Sequence, residues 1–281
     1  MKLKLLGVKE LKDFPPASAI EYFDEKLYFI GNDAREVLVT NKRYKELDRI
    51  PLVTSGNSPR PAKSDLVAST FIEVNKIPRL LLIGSGSELQ DRNRAVLLNL
   101  DDYNENELDT RPFYTRIKEA GISSLNIESA TIVLGELILC SRGNKSIPEN
   151  YAIITSLDFY KDEIKAPLSI LRFELPSTVK SFIGITGMAY SSKNDWLVLS
   201  LSSEDPAGDS FLGVVENAAS KMTRKKIKVN NLINLSEADD KFKGHKVESV
   251  CIQSDKDNQL KLQLAAAREN VSWVFKLRLN D

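Results

Sequence analysis

The sequence repeats one pattern of short apolar segments five times. A segment with a glutamate near its start, NIESATI at 126–132, returns as KVESVCI at 246–252. A tight turn, a second apolar segment, a polar loop and a third apolar segment follow each of them. Three further copies begin with ASAIEYFDE at 17–25, SDLVASTFIEV at 64–74 and GITGMAYSS at 184–192. Such Val-, Ile-, Leu- and aromatic-rich segments, bounded by Asp, Asn, Gly and Ser, are typical of β-strands.

The period of the repeat predicts the architecture. The residues that correspond in the five first strands are 49, 61, 58 and 62 positions apart, and they are Ser18, Val67, Glu128, Thr186 and Glu248. This spacing is about the length of one four-stranded propeller blade, and blades arranged around an axis leave only short, protected sheet edges. We therefore predict an all-β fold, a five-bladed β-propeller.

The segments between the copies provide candidates for a fourth, outer strand. We assign this role to residues 46–54, 167–176 and 225–235. The last copy ends with only three strands, so residues 3–11 are predicted to close the final blade as its outermost strand. The segment 103–125 contains the acidic run ENELD (105–109), interpreted as a solvated linker, and a short helix that stops at Gly121. A degenerate unit hidden there would make six blades.

The predicted organisation is a single domain over residues 1–281. Its blades cover about 15–62, 63–123, 124–183, 184–244 and 245–281, the last completed by 2–12.

Several short motifs resemble one known family. Both glutamate-bearing strands have the form [IV]-E-[SG]-[AV], and the strands after them lead into SRGN (141–144) and AREN (267–270). KSDLVAS (63–69) is similar to a Lys-Pro-Asp-aromatic-Glu-Ala-Leu motif, with Ser64 for the proline and Val67 for the glutamate, and GSGS (84–87) also matches. Together they resemble an uncharacterised bacterial family of phytase-like, esterase-like β-propellers. The resemblance implies a propeller fold and, as an activity, metal-dependent ester hydrolysis.

Charge and composition argue against nucleic-acid and membrane partners. The chain has 39 basic and 39 acidic residues, so no overall field favours either. The basic run TRKKIKVN (223–230) alternates lysines with Ile227 and Val229, which is typical of a lysine-protected edge strand. No apolar run is long enough to span a bilayer, and Gly7 and Lys9 interrupt the N-terminal apolar residues too early for a signal peptide. We expect a cytoplasmic protein, or a periplasmic one if the given chain is a trimmed form.

The candidate binding residues lie where the first strands begin. In a propeller these inner strands line the central channel, so Glu128 and Glu248 are expected near its mouth, with Arg142 and Arg268 in the matching loops. The loop 84–94 adds Arg92 and Arg94 to the same face. Arginines can bind phosphate or carboxylate bidentately, so this rim could hold a small polar or anionic ligand. The structural alternative is that each glutamate pairs with a neighbouring arginine and holds adjacent blades in register.

Catalytic and metal-binding interpretations depend on the same face. His245, three residues before Glu248, could act as a general acid or base. Glu128 and Glu248 could supply two oxygen ligands to calcium, although no D-x-D-x-D-G run accompanies them. One histidine and two separated cysteines do not provide the ligand set of zinc. Cys140 and Cys251 lie within apolar strands and are predicted to be buried free thiols. The sequence contains no G-x-S-x-G nucleophile motif.

Two functions follow. The first is a non-catalytic propeller that binds a small polar or anionic ligand, or a protein partner, at the channel mouth. The alternative is a phytase-like or esterase-like hydrolase. In that case the rim carboxylates would hold a metal ion, with calcium as the candidate, and the arginines would bind the anionic ester. The single histidine, and Val67 in place of a glutamate, favour binding.

Overall fold

Five β-sheets surround a central axis, as the five-copy repeat predicts. The computed structural model describes residues 1–31, 35–52, 65–87, 92–177, 179, 181–205 and 208–281. Part of the predicted loop 84–94, the end of the segment 46–54 and Ser64 of the KSDLVAS motif lie outside these residues.

The strands form where the apolar runs lie and end at the turn residues between them. In chain order they are β1 (Lys2–Leu11), β2 (Ala17–Phe23), β3 (Lys26–Gly31), β4 (Glu36–Asn41), β5 (Glu46–Pro51), β6 (Leu66–Val74), β7 (Ile77–Gly84), β8 (Arg94–Asn99), β9 (Glu105–Asp109), β10 (Ile127–Val133), β11 (Glu136–Ser141), β12 (Tyr151–Ser156), β13 (Ser169–Glu174), β14 (Ile183–Ser191), β15 (Trp196–Ser203), β16 (Ser210–Glu216), β17 (Lys226–Lys228), β18 (Asn231–Asn234), β19 (Lys246–Lys256), β20 (Gln259–Arg268) and β21 (Val271–Asn280). The helices are α1 (Arg111–Glu119), α2 (Ala218–Lys221) and α3 (Leu235–Ala238), with single 3-10 turns at Phe159–Lys161 and Asp240–Phe242. None of these helices is long and apolar enough to cross a membrane.

Each sheet is one blade of a five-bladed propeller. From the axis outwards the orders are β2-β3-β4-β5, β6-β7-β8-β9, β10-β11-β12-β13, β14-β15-β16-β18 and β19-β20-β21-β1. The N-terminal strand β1 pairs antiparallel with β21, which confirms that the two ends of the chain close the last blade. We call the face at which the inner strands begin the entry face, and the face at which they end the exit face.

Three outer segments test the assignments made between the copies. The short helix is confirmed as α1, which ends just before Gly121. The interpretation of ENELD as a linker is wrong, because these residues form β9, the outer strand of the second blade. The segment 225–235 is divided: β18 is the outer strand of the fourth blade, but β17 pairs in parallel with β13 of the third. Within β17 only Ile227 is buried, so its two lysines face solvent at a sheet edge, as predicted.

A β-bulge recurs near the start of every inner strand. In each blade one residue of the inner strand has no partner in the second strand, which leaves the register shifted around Ser18, Val67, Glu128, Thr186 and Glu248. These are the five residues that correspond in the sequence. A bulge bends the strand and redirects a side chain, so the repeat places one redirected side chain per blade at the entry face.

Polar side chains fasten successive blades together beside these bulges. Asn150 donates from Nδ2 to the backbone oxygen of Ile183 at 3.0 Å and accepts the backbone N–H of Ile185 at 3.0 Å. Ser210 and Ser272 make the same pair of bonds to the blade that follows. Each hydroxyl donates to the carbonyl three residues before the bulge and accepts the N–H of the residue just before it. All three side chains are buried, so each bond replaces one that the peptide group would otherwise make to water.

The apolar core is divided among the five blade interfaces. One cluster, for example, packs Val37 and Val39 of the first blade against Leu80 and Leu82 of the second, and the last interface joins Phe29 to Val274 across the closure. Burial of a Val, Leu or Phe side chain contributes about 1.5–3 kcal/mol. The ring is therefore stabilised by contacts between blades, and no blade buries its own faces alone.

Candidate functional site

The bulges at Glu128 and Glu248 bring two carboxylates together at the entry face. Their side chains retain 22% and 18% exposure. The pKa of Glu128 is raised above its ordinary value, first because protein surrounds the carboxyl and also because the negative charge of Glu248 is close; Arg142 and Asn126 oppose the rise. The blades that carry these residues are separated by the fourth blade, so only the ring brings the carboxylates together.

Arg142 reaches the same place from the loop after β11. Its backbone N–H donates to the carbonyl of Asn126 at 2.9 Å, which fixes the start of the side chain. The side chain crosses directly over Gly184, where any Cβ would overlap its Nε. The Nη1 atom then lies 3.8 Å from Oε1 of Glu128, which is an ion pair but too long for a hydrogen bond.

The Nε atom of Arg142 is buried without a hydrogen-bond partner among the described residues. The Arg142 side chain is 10% exposed, and its Nη1 makes only the long ion pair with Glu128. A guanidinium has five donors, and a buried charged donor without a partner is costly. The guanidinium therefore has unused donor capacity at the channel mouth.

A small polar cavity opens beside this arginine. Its volume is about 260 Å³, and it is lined by Asn126, Arg142, Gly143, Asn144, Glu204 and Lys246. Glu248 is already engaged by Lys246, whose Nζ lies 2.9 Å from Oε1. Glu128 accepts a hydrogen bond from Nδ2 of Asn126 at 2.7 Å. Both carboxylates thus accept close contacts from other groups, whereas Nε of Arg142 has no hydrogen-bond partner among the described residues.

His245 and Arg268 are not among the residues that line this cavity. His245 is buried, with its ring edge-on to Trp273 and Phe275 at 5.0 and 5.1 Å, and within the described residues neither ring nitrogen has a hydrogen-bond partner. The sequence predicts His245 as a candidate general acid or base at this face, but its ring is buried among aromatic side chains. Burial lowers the pKa of His245, and the nearby charge of Arg268 lowers it further. Arg268 itself lies 3.6 Å from Glu269.

The two arginines of the loop 84–94 belong to the second blade. Arg92 lies 3.3 Å from Asp65 and donates to Oγ of Ser87 at 2.6 Å, so it connects this loop to the start of β6. Arg94 is the first residue of β8, opposite Asp109 of the outer strand.

The donor set of the described residues does not form a metal site. No group of three or more His, Cys, Asp or Glu side chains in the described part of the chain could hold a metal ion. Glu128 and Glu248, the predicted calcium ligands, already contact Asn126, Arg142 and Lys246. The residues present therefore do not fit calcium, which takes six to eight oxygen ligands.

A second cluster of buried polar groups lies farther along the channel. Glu21, three residues after the first bulge, accepts a hydrogen bond from Oγ of Ser69 at 2.9 Å. The side chain keeps a little accessible surface but is surrounded by protein, as expected beside a narrow channel. This burial raises the pKa of Glu21 to about 8, although the hydrogen bond from Ser69 lowers it. The thiol pKa of Cys251 is raised by burial and then by the charge of Glu21. Both cysteines are buried free thiols, as predicted.

Sequence reasoning identified Glu128, Glu248 and Arg142 but missed their neighbours. Gly184 is needed because the arginine crosses it, and Lys246 because it neutralises Glu248. Lys246 lies two residues before Glu248, so the sequence already indicated that it could contact this candidate carboxylate. Nothing in GITG indicated that an arginine from another blade would need space there.

The chain belongs to a family of unknown function, DUF6929, whose model matches residues 13–279. None of the curated proteins matches it. This supports the expected uncharacterised propeller family but not a phytase-like or esterase-like character.

Solved structures share the fold at low sequence identity. A glutaminyl cyclase from Myxococcus xanthus has a TM-score of 0.56 at 6% identity, over 99% of this chain and 97% of that one. A bifunctional GH43-CE protein of Bacteroides eggerthii has a TM-score of 0.54 at 10% identity, over 95% of this chain and 34% of that one. The tail fibre of Staphylococcus aureus phage P68 has a TM-score of 0.51 at 9% identity, over 99% and 52%. This chain spans only part of the last two, and such identities indicate a shared fold alone.

Proposed function

We propose that this member of a family of unknown function is a non-catalytic binding protein, and that a small anionic ligand occupies the entry-face cavity beside Arg142. One observation carries the proposal: the Arg142 side chain is 10% exposed, and its buried Nε has no hydrogen-bond partner within the described residues. An anion such as a phosphate or carboxylate accepts two parallel N–H bonds from such a group. Binding would thus supply the partners that the folded chain does not.

The surroundings of the cavity are consistent with an anion. Arg142 and Lys246 line it, and the amides of Asn126 and Asn144 add uncharged polar groups. Glu204, the acidic lining residue, accepts the backbone N–H of Lys145 at 3.1 Å. Glu128 and Glu248 balance the two cations in the unliganded protein, and the raised pKa of Glu128 eases its protonation when an anion arrives.

The hydrolase alternative has less support. A metal-dependent reaction needs converging ligands, and the two carboxylates here contact cations and an amide instead. His245, the one candidate general base, is buried against two aromatic rings. The structure offers no specific observation in favour of ester hydrolysis.

Anion titration tests the proposal. Inorganic phosphate and malonate are titrated calorimetrically against chloride at constant ionic strength, and thermal unfolding is followed in parallel. We expect one of the two to raise the unfolding midpoint, because a ligand at a hundred times its Kd stabilises the native state by about 2.7 kcal/mol. Arg142→Gln should abolish the response, and Arg142→Lys should weaken it because a lysine cannot form the bidentate contact.

Arg111→Gln is the matched control, since Arg111 is 71% exposed at the start of α1. It should respond as the wild type does. The proposal fails if neither anion binds, or if the Arg142 variants bind as tightly as the control.

A further inference from the structure

A second cavity lies at the exit face, between the first and second blades. Its volume is about 360 Å³, within the range of roughly 300–1,000 Å³ found for ligand pockets. It lies between the turn that joins β2 to β3, the outer strand β5 and the turn that joins β8 to β9. Its lining consists of Phe23, Asp24, Lys26, Tyr28, Val39, Leu47, Asp48, Ile50, Pro78, Leu100, Asp101 and Tyr103.

Three aromatic side chains form part of the wall. The rings of Phe23 and Tyr28 are held from behind by Phe71, stacked at 4.5 Å on the first and edge-on at 5.2 Å to the second. Tyr103 comes from the second blade, and its hydroxyl donates to the Asp48 carboxylate of the first. Its ring is 41% exposed, so it closes one side of the cavity without being part of the core.

The rim of the cavity is acidic. Among the described residues that line it, Asp24, Asp48 and Asp101 are acidic and Lys26 is the one cation. Asp48 is engaged by Tyr103, whereas the carboxylates of Asp24 and Asp101 make no hydrogen bond or ion pair within the described part of the chain. A cation entering the cavity would meet two carboxylates that have no other partner.

The Tyr28 hydroxyl is an unused polar group in the wall. The residue is 3% exposed, yet its hydroxyl has no hydrogen-bond partner among the described residues. Burial raises the pKa of Tyr28 to about 12, and the nearby carboxylate of Asp24 adds to the rise, so the phenol stays uncharged. An uncharged phenol can accept or donate a hydrogen bond to a ligand.

We propose that this cavity binds a small organic cation with an alkylated ammonium group, held between Phe23, Tyr28 and Tyr103. The faces of aromatic rings attract cations, and recognition of quaternary ammonium groups by aromatic cages depends on this attraction. The acidic rim adds long-range attraction, while the apolar walls favour an alkylated cation over a strongly hydrated metal ion. The site is independent of the anion site, which lies on the opposite face.

Choline and its uncharged isostere 3,3-dimethyl-1-butanol are the probes. Binding of each to the full chain is measured by calorimetry and saturation-transfer NMR. Because the two differ essentially in charge, a cation–π site should bind choline roughly 2- to 30-fold more tightly. Equal binding of the isostere, or no binding of choline at tens of millimolar, would overturn the proposal.

Substitutions then locate the binding. Tyr103→Leu should weaken choline binding several-fold, whereas Tyr103→Phe, which keeps the ring and loses only the bond to Asp48, should retain most of it. Asp101→Asn should weaken binding and reduce its salt dependence. Arg111→Gln, at an exposed position at the start of α1, is the control and should leave choline binding unchanged. If Tyr103→Leu and Asp101→Asn, shown to be folded by circular dichroism, bind choline as the wild type does, the cavity is not the site.

Discussion

Replacing Glu21 by glutamine should remove a pH-dependent loss of stability. The pKa of this carboxyl rises on folding from its ordinary value of 4.5 to about 8, chiefly because of burial. Between these values the unfolded chain releases the proton while the folded protein retains it. Stability therefore falls as pH rises from about 4.5 to about 8 and then levels off. Glutamine stays uncharged and can still accept the Ser69 hydroxyl, so the variant should lack this fall.

The magnitude follows from the two pKa values. At about 1.4 kcal/mol for each tenfold difference in proton affinity, the full effect approaches 5 kcal/mol, and about 4 kcal/mol of it develops between pH 5 and pH 8.5. Cys251 is the titratable neighbour in this cluster, and its raised pKa keeps the thiol protonated over this interval. Changes in this cluster within the interval are thus attributable to Glu21.

Urea unfolding followed by tryptophan fluorescence measures the effect. The free energy of unfolding is determined at pH 5 and pH 8.5 for the wild type and for Glu21→Gln, with equal m-values required for the comparison. The variant should gain about 3–4 kcal/mol relative to the wild type at the higher pH. Glu73→Gln, at an exposed position of β6, controls for the loss of one charge. A difference between wild type and Glu21→Gln that is the same at both pH values would refute the reasoning.

Three other predictions concern the entry face and the joints between blades. Gly184→Ala should displace the Arg142 side chain and abolish the phosphate or malonate response with little change in the unfolding midpoint; an unaltered response in calorimetry would contradict the geometry. Asn150→Ala leaves two buried peptide groups of β14 without partners and should lower the free energy of unfolding by about 2–4 kcal/mol, and a loss below about 1 kcal/mol would show that water replaces the bonds. Excess calcium should leave the wild-type unfolding midpoint where EDTA leaves it, whereas a rise that disappears in the Glu128→Gln, Glu248→Gln double variant would show that these glutamates bind metal.

The local pattern of residues was sufficient to predict the propeller. Strand segments follow from short apolar runs, and a blade cannot bury its two faces alone, so five copies require a closed ring. The repeat was reliable down to single residues: the five corresponding positions, from Ser18 to Glu248, all carry the bulge. The unpaired last copy likewise indicated that β1 would complete it.

Assignments of outer strands were less successful. ENELD has no apolar alternation. It forms a strand because the backbone of β8 offers it N–H and C=O groups to pair with. KIK at 226–228 paired with the third blade and not the fourth, because its buried Ile227 packs in the core between these two blades. Weakly apolar outer strands have no strong preference of their own, so their neighbours decide where they pair.

The sequence by itself determined the repeat, the closure and which residues stand at the bulges, and it favoured five blades while leaving a sixth open. Only the tertiary structure decided what those residues contact. His245 proved to be buried between aromatic rings, and Arg142 crosses Gly184 to a site shared with Lys246, none of which is marked in the local pattern. Strand formation depends on residues close together in the chain, whereas the charge, burial and free donors of a site depend on side chains brought together from separate blades.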